Sequence, residues 1–422
     1  MDTAAKTAPG EKPRSMSSFF IIFAGQSVSL FGSQLVQFAI VWWLTKTSGS
    51  ASVLAFSSIV AIIPQVLLGP FAGALVDRWN RRVVMIVSDG LIALAVVVLA
   101  VLYAVDAVQI WHIYVLMLFR SIAGSFHWPA MQASTTLLVP EKHLSRVAGL
   151  NQALHGLVNI AAAPTGAVVL EILPMQSVLA IDVATAAVAI FVLFFISIPQ
   201  PIRRQDTRRK GSSVLSDIRE GLDYMLVWKG GLFIMTGALI VNFLFTPAAS
   251  MTPILVMRHF AGGAREYAVM ASVFGIGMVL GGLILGVWGG FKRRIVTAMS
   301  AAVVSGAATI VIGLTPSNMF LLALAMRFIS AFALPIANGS LFAILQAKVP
   351  PEMQGRIFTL LGSGSAAMAP LGLAIAGPVA DALGVQIWFI VGGIGLIGIG
   401  TVAFFIPSIM SIDKEASVKA PN

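Results

Sequence analysis

The sequence contains no cysteine, which excludes disulfide bonds and thiolate metal sites. Charged residues are also scarce, at 10% of the 422 residues against about 25% in an ordinary soluble domain. The nucleotide-binding motif GxxxxGK[ST] is missing, as are the metalloprotease motif HExxH and the hydrolase motif GxSxG. These absences argue against a primary pump and weaken the case for an intramembrane enzyme. We therefore expect no catalytic residues, no cofactor and no metal.

Hydrophobic side chains make up 58% of the chain and fall into twelve long runs. A bilayer core about 30 Å thick needs about 20 residues of helix for each crossing. The sequence therefore predicts an all-α membrane protein with twelve transmembrane helices. The predicted spans are 18–44, 52–75, 83–104, 112–138, 146–170, 175–198, 231–257, 267–289, 295–314, 318–346, 357–380 and 386–408.

The positive charges alternate along these runs. The two tails and every second connector carry 22 of the 27 Lys and Arg residues, and the remaining connectors carry three. Lys- and Arg-rich loops stay on the cytoplasmic side, so we expect both termini in the cytoplasm. Topology and anionic lipid headgroups account for the net charge of +10. We therefore expect membrane lipids, and no nucleic acid, as partners.

The two halves of the chain resemble each other. The segment 69–82 aligns with 281–294, and Arg120 with Pro129 recurs as Arg327 with Pro335. Two like halves on the same side of the membrane follow the parallel-repeat plan of a secondary transporter, with substrate bound between them. The predicted organisation is two pseudo-symmetric six-helix bundles over 18–198 and 231–408. Cytoplasmic tails over 1–17 and 409–422 and a cytoplasmic linker over 199–230 complete it.

The linker contains a basic run followed by a patterned segment. Val214, Ile218, Leu222 and Met225 fall close to three- and four-residue spacing, with charged residues between them. This pattern is typical of a short amphipathic helix on the inner membrane surface. A solvated tether with no further function is the alternative interpretation.

Four segments carry a resemblance to a known family. They are AGQSVSLFGSQLVQFAIVWWLT, GPFAGALVDRWNRR, LLVPEKHLSRVAG and VPPEMQGRIFTLLGS. With them the chain resembles the major facilitator superfamily, and within it the macrolide efflux proteins of the drug:proton antiporter branch. The resemblance covers nearly the whole chain and implies the major facilitator fold. Asn80 departs from the usual glycine of the second segment, and Ala123 replaces a usual glutamine in the fourth span.

The same resemblance implies a gate near the cytoplasmic face. Its motif residues are Gly73, Asp77, Arg78, Arg81 and Arg82, and the family pattern places Asp77 near the start of span 11, beside Arg356. A helix N-terminus carries about half a positive charge, so an ionised Asp77 there would latch the two halves together. The alternative is that Asp77 caps its loop and the arginines only fix topology.

Ionisable residues inside spans are costly in hydrocarbon and each is a functional hypothesis. The candidates for proton coupling are Asp89, Asp182, Arg120 and Arg327. Arg120 and Asp182 share a depth of about 10 to 12 Å from the outer ends of their spans, at 1.5 Å per residue. They are either a coupling pair or a structural ion pair, and Asp89 is a second proton carrier candidate.

Polar side chains at helical spacing indicate a substrate cavity. Amides and hydroxyls on one helix face bind substrate or water, but they equally hold helices together. The candidates are Gln26, Ser33, Gln37, His127, Trp128, Asn151, His155, Asn242, Thr246 and Asn338.

Together these features predict a monomeric exporter in a bacterial inner membrane. Its substrates would be amphipathic, drug-like small molecules, with macrolide-type antibiotics first among them. Export would proceed by alternating access, with protons moving the other way. An endogenous siderophore or a lipid is the alternative substrate, and a non-transporting membrane receptor or scaffold is the alternative of another class.

Overall fold

The computed structural model describes residues 16–76, 78–140, 143–196, 198 and 214–413, and within them it contains helices and no strands. The predicted N-terminal tail up to residue 15, the linker over 199–213 and the tail from 414 lie outside the described residues. The helices are α1 Met16–Ser48, α2 Ala51–Val76, α3 Arg81–Ala104, α4 Ile110–Leu138, α5 Leu144–Ile172, α6 Met175–Phe195, α7 Val214–Val227, α8 Lys229–Ser250, α9 Thr252–Ile254, α10 Ala264–Trp288, α11 Arg294–Leu314, α12 Phe320–Lys348, α13 Pro351–Leu383, α14 Gln386–Phe405 and α15 Pro407–Met410.

Eleven segments of the described chain are long and apolar enough to cross a membrane. The helix that completes the predicted twelve is α4, whose 29 residues are ample for one crossing. It is less apolar because it carries Arg120 and two histidines. The prediction of an all-α membrane protein is therefore confirmed, and each predicted span corresponds to a long helix.

Prolines lie at two places where the observed helices differ from the predicted spans. Span 7 ends its regular helix at Ser250, and the chain continues through α9 and a π-helical turn, Leu255–His259. Pro253 lies in the first turn of α9, where proline lacks only a hydrogen bond that a helix start leaves unmade. Pro351 likewise begins α13 six residues before the predicted span 11. Gly355 and Arg356 therefore lie inside that helix and do not precede its N-terminal amides.

The chain divides into two compact units that differ from the two sequence halves. The first comprises residues 1–37, 67–158 and 169–205. Within it α3 packs against α4 and α6. A buried cluster joins the start of α1, the end of α2 and the start of α3, with Phe19, Val76 and Met85 at its centre.

The second unit comprises residues 38–66, 159–168 and 206–422, so it includes the end of α1 and the start of α2. Within it α11 packs against α12 and α14, α10 against α12, and α8 against α13 and α14. Close helix contact depends on glycine: at Gly281 of α10 a Cβ would run into the backbone carbonyl of Phe332 in α12.

Helix α7 occupies the end of the predicted linker. Its Tyr224 and Met225 are fully buried, and they pack with Trp228 and Ile412 in the core of the second unit. Burial raises the pKa of the Tyr224 hydroxyl, so it stays protonated. Protein therefore covers this part of the apolar face, while Leu226 and Val227 are exposed.

Candidate functional site

A buried carboxylate in the first unit is held by groups from three helices. Asp89 of α3 is buried, and its Oδ2 accepts a hydrogen bond of 3.1 Å from Nε2 of Gln26 in α1. Nε2 of His127 in α4 lies 3.2 Å from the other oxygen, Oδ1. A carboxylate and an imidazole at this distance form an ion pair when the ring is protonated. The pair can therefore hold or release a proton inside a membrane-spanning helix bundle.

A second charged cluster in the first unit joins α4, α6 and α1. Nη1 of Arg120 lies 2.9 Å from Oδ2 of Asp182, which is 2% exposed. Ser33 Oγ donates to Asp182 Oδ1 at 2.7 Å, and Arg120 Nη2 donates to the Ser33 carbonyl at 3.2 Å. Gly32 leaves no space for a Cβ against Thr185, so α1 and α6 pack tightly beside the pair. The predicted contact between Arg120 and Asp182 is present.

Arg327 in the second unit has a different environment. Its side chain is buried in α12, and its guanidinium carbon lies 4.3 Å from the ring centroid of Phe274 in α10. Among the described residues its Nε has no hydrogen-bond partner, and it forms no ion pair with them. This candidate for proton coupling therefore forms no ion pair with a carboxylate in the described part of the chain.

The other cavity candidates fall into two groups. In the first unit, the Trp128 and His155 rings meet edge to face at 5.5 Å, and Gln37 and Asn151 are half-buried. In the second unit, Asn242 donates to the Ala238 carbonyl of its own helix at 3.0 Å. Thr246 is half-buried and Asn338 is exposed. Gln26, Ser33 and His127 belong to the two carboxylate clusters, so the structure gives them a partner within the protein.

One cluster was missed by the sequence analysis. Asp381, near the end of α13, accepts hydrogen bonds from Ser50 Oγ at 2.8 Å, the Ala51 amide at 2.8 Å and the Ser52 amide at 3.0 Å. These amides begin α2, so Asp381 caps that helix from another element. Nη1 of Arg258 lies 3.9 Å from Asp381 Oδ1. The neighbouring Gly377 has no space for a Cβ against the Ser52 backbone, which brings α13 and α2 into close contact.

The residues of the predicted gate motif have several roles. Arg81 is buried and donates to the Ala133 carbonyl of α4 at 3.1 Å, and Arg82 donates to the Phe194 carbonyl of α6. Arg78 is exposed, and Gly73 has open space around it. Arg356 pairs with Glu220 of α7 at 2.7 Å. Asp77 itself lies outside the described residues.

The chain is similar to known membrane transporters in sequence and in fold. The family profile of the Major Facilitator Superfamily matches residues 22–372. The chain belongs to the Major Facilitator Superfamily. It is 31% identical to macrolide efflux protein A of Streptococcus pyogenes over 397 residues, which cover 94% of this chain and 98% of that protein. It is 26% identical to the multidrug efflux pump Tap of Mycolicibacterium fortuitum, over 93% of this chain and 96% of the pump.

Solved structures support the same fold. The crystal structure of the nucleoside transporter NupG superimposes with a TM-score of 0.70 at 12% identity, covering 95% of this chain and all of that chain. The predicted superfamily and fold are thus confirmed, and the chain is a multi-span membrane transporter of this superfamily and not an enzyme.

The superfamily's repeated halves are visible in matching contacts. Arg81 at the start of α3 donates to a carbonyl of α4, and Arg294 at the start of α11 donates to the Ala343 carbonyl of α12 at 3.2 Å. In each half an arginine at the start of the third span therefore donates to a carbonyl of the fourth span, although the two donors are different members of the aligned arginine pairs.

An apolar groove of about 430 Å³ lies between α3 and α4 of the first unit, lined by residues such as Leu94, Val98, Trp111 and Phe119. It contains none of the predicted cavity residues, and its lining suits lipid chains.

Proposed function

We propose that this transporter exports amphipathic drug-like compounds, with macrolide-type antibiotics first among them, by alternating access coupled to proton antiport. The 31% identity to macrolide efflux protein A over nearly the whole of both chains supports the substrate class. The observation that carries the coupling is Asp89, a buried carboxylate with the titratable His127 beside it. We propose a bacterial inner membrane with both termini in the cytoplasm as the location, and a monomer as the working unit.

Asp89 fits a proton carrier better than Asp182 does. Asp182 is neutralised by Arg120, whose guanidinium remains charged at any physiological pH. Asp89 faces a neutral amide and an imidazole, and an imidazole changes its charge between about pH 5 and 8. A proton that binds the Asp89–His127 pair changes its net charge, which would bias the protein towards one side of the transport cycle.

The Asp381 cluster is proposed as a latch on the predicted outer side. The carboxylate holds the first turn of α2 to the end of α13, and this contact must break when the cavity opens outward. On the predicted inner side, we propose Asp77 as the corresponding latch, as the family resemblance implies. Arg356 would then exchange its present partner, Glu220, for Asp77.

Resistance and uphill transport test the proposal at two levels. Expression in a bacterial host with its own pumps deleted should raise the macrolide concentration needed to stop growth and should speed dye efflux. A host that shows neither effect, but gains resistance to siderophore or lipid stress, would support the alternative substrates. If purified protein binds ligand yet moves none across a vesicle membrane, the receptor alternative is favoured.

Proteoliposomes with an imposed pH gradient test the coupling. Asp89→Asn should abolish uphill transport while leaving counterflow, because the neutral amide cannot carry a proton. Asp106→Asn, which removes an exposed carboxylate, is the matched control and should transport as the parent does. Uphill transport by Asp89→Asn at the parent's rate would exclude Asp89 as the coupling group.

A further inference from the structure

Arg327 is a buried cation without a counter-ion among the residues that the structure describes. Its residue is 6% exposed, and none of the ion pairs formed by the described residues includes it. A guanidinium stays protonated in proteins, so it cannot escape this cost by losing its proton. Charges in membrane-spanning helices normally pair with another residue or mark a ligand pathway. The absence of a protein partner therefore points to a ligand.

Four described acidic residues of the second unit have partners other than Arg327. Glu266 caps the start of α10 through a hydrogen bond from the Gly263 amide, and Asp381 caps α2. Glu220 pairs with Arg356, and Asp413 accepts a hydrogen bond from the Ile295 amide. These contacts engage four described carboxylates outside the middle of α10 and α12.

One aromatic ring of α10 contacts the cation, and the same helix carries a second aromatic residue that packs against α1. Phe274 lies 4.3 Å from the guanidinium carbon, and Tyr267 lies about two turns earlier on the same helix. The Tyr267 ring stacks on Phe38 at 5.0 Å and 10°, and on Trp42 at 6.0 Å and 19°. A cation beside flat apolar faces suits a ligand that combines an aromatic ring with a negative charge. Phe38 and Trp42 of α1 and Tyr267 of α10 thus form an aromatic cluster within the second unit, on the helix that also carries Phe274.

We propose that Arg327 binds the carboxylate of an aromatic organic anion, which packs its ring against Phe274 and Tyr267. This inference rests on the proposed export function and names a substrate class for it beyond macrolides. The guanidinium presents two parallel N–H donors that match a carboxylate, and the dry aromatic surroundings strengthen the attraction. A chloride ion offers the same charge without a ring, so it is the other source of a bound anion.

Two xanthene dyes of opposite charge provide the test, because fluorescein is an anion and rhodamine 123 a cation on the same ring system. Binding to the purified full-length protein is measured by fluorescence anisotropy at pH 7.5, in sodium gluconate and in sodium chloride. Fluorescein should bind Arg327→Gln about ten- to a hundred-fold more weakly than the parent, as expected for a lost charge-assisted hydrogen bond. Rhodamine 123 should bind Arg327→Gln more tightly, because a repelling charge is gone.

Two variants control the interpretation. Arg327→Lys keeps the charge and should retain most of the fluorescein affinity, which a merely structural role for the guanidinium would not predict. Lys229→Gln removes one exposed positive charge and should bind both dyes as the parent does. Equal fluorescein affinity in the parent and in Arg327→Gln in gluconate overturns the proposal. A difference that appears in gluconate and vanishes in chloride supports an anion site that both ligands occupy.

Efflux from cells separates this inference from the proposed function. If cells export rhodamine 123 but fluorescein binding does not depend on Arg327, the proposed export function stands and the proposed anion site is rejected. If fluorescein binding depends on Arg327 but cells export neither dye nor a macrolide, the proposed anion site stands and the proposed export function is rejected.

Discussion

Arg120 and Arg327 occupy equivalent places in the two halves of the chain, yet their surroundings differ. Arg120 is neutralised by Asp182 at 2.9 Å and donates a further hydrogen bond to α1. Arg327 has an aromatic ring where its counterpart has a carboxylate. The repeat thus preserves a cation on the fourth span of each half, while the partner of that cation differs between the halves.

The sequence explains part of this difference. The offset between matching residues of the two halves stays between 206 and 212, so Asp182 should correspond to a residue between 388 and 394. That segment reads WFIVGGI and contains no acidic residue. The second half therefore has no acid on its sixth helix to neutralise Arg327, and the first half does.

The largest expected effect concerns the stability of the two arginine sites. Arg120→Gln leaves Asp182 buried without its cation, which should cost about 3–5 kcal/mol. Arg327→Gln removes a charge that has no counter-ion among the described residues, so it leaves no buried carboxylate unpaired. Its effect on thermal stability should therefore be small or stabilising. Thermal unfolding of both variants in the same detergent, without ligand, checks the difference. Equal destabilisation would mean that Arg327 has a partner within the folded protein, and the contrast between the halves would disappear.

A second prediction concerns a variant that places a carboxylate beside Arg327. Phe274→Glu places an acid close to the position of the ring that now faces Arg327. The new ion pair should neutralise the cation and weaken fluorescein binding about tenfold or more, because the carboxylate competes for the same donors. Phe274→Gln, of nearly the same size but uncharged, is the control and should bind fluorescein more tightly than Phe274→Glu does. Similar binding by the two variants would contradict the assignment of Arg327 as the anion site.

The fold could be predicted from the sequence because each span is a long apolar run and length alone fixes the crossing. The Arg120–Asp182 pair could be predicted as well, since both residues lie at the same depth from their helix ends. Contacts that depend on the relative rotation of two helices could not be predicted from the sequence. The distance from Asp89 to His127 depends on the rotation of α3 and α4, and neither depth nor spacing reports that angle.

Asp381 was missed for a related reason. It lies in the last turns of α13, where an acidic residue is ordinarily solvated, and its partners are backbone amides of α2 that no sequence pattern marks. The sequence offered a clue, because Asp77 and Asp381 each follow a glycine by four residues. Gly377 also allows the close approach that brings the Asp381 carboxylate to α2.

The smallest expected change in thermal stability concerns a second Arg–Asp pair, Arg258 and Asp381. Arg258 and Asp381 belong to the second unit, but their side chains are 50% and 30% exposed, so water screens their attraction. Asp381→Asn should therefore change thermal stability far less than Asp182→Asn does. Its principal result should be conformational, since the loss of a helix cap costs about 1 kcal/mol and changes the ratio of two states about fivefold.

The chain has no cysteine, so pairs of spin labels can be attached to introduced cysteines without removing native ones. Labels at 107 and 317 report the predicted outer side, and labels at 79 and 292 report the predicted inner side. Asp381→Asn should increase the population with long outer distances, because the cap that holds α2 to α13 is weakened. Asp77→Asn should act in the opposite sense and increase the population with long inner distances. If Asp381→Asn leaves the outer distances unchanged, the cap only stabilises α2 and does not latch the outer side.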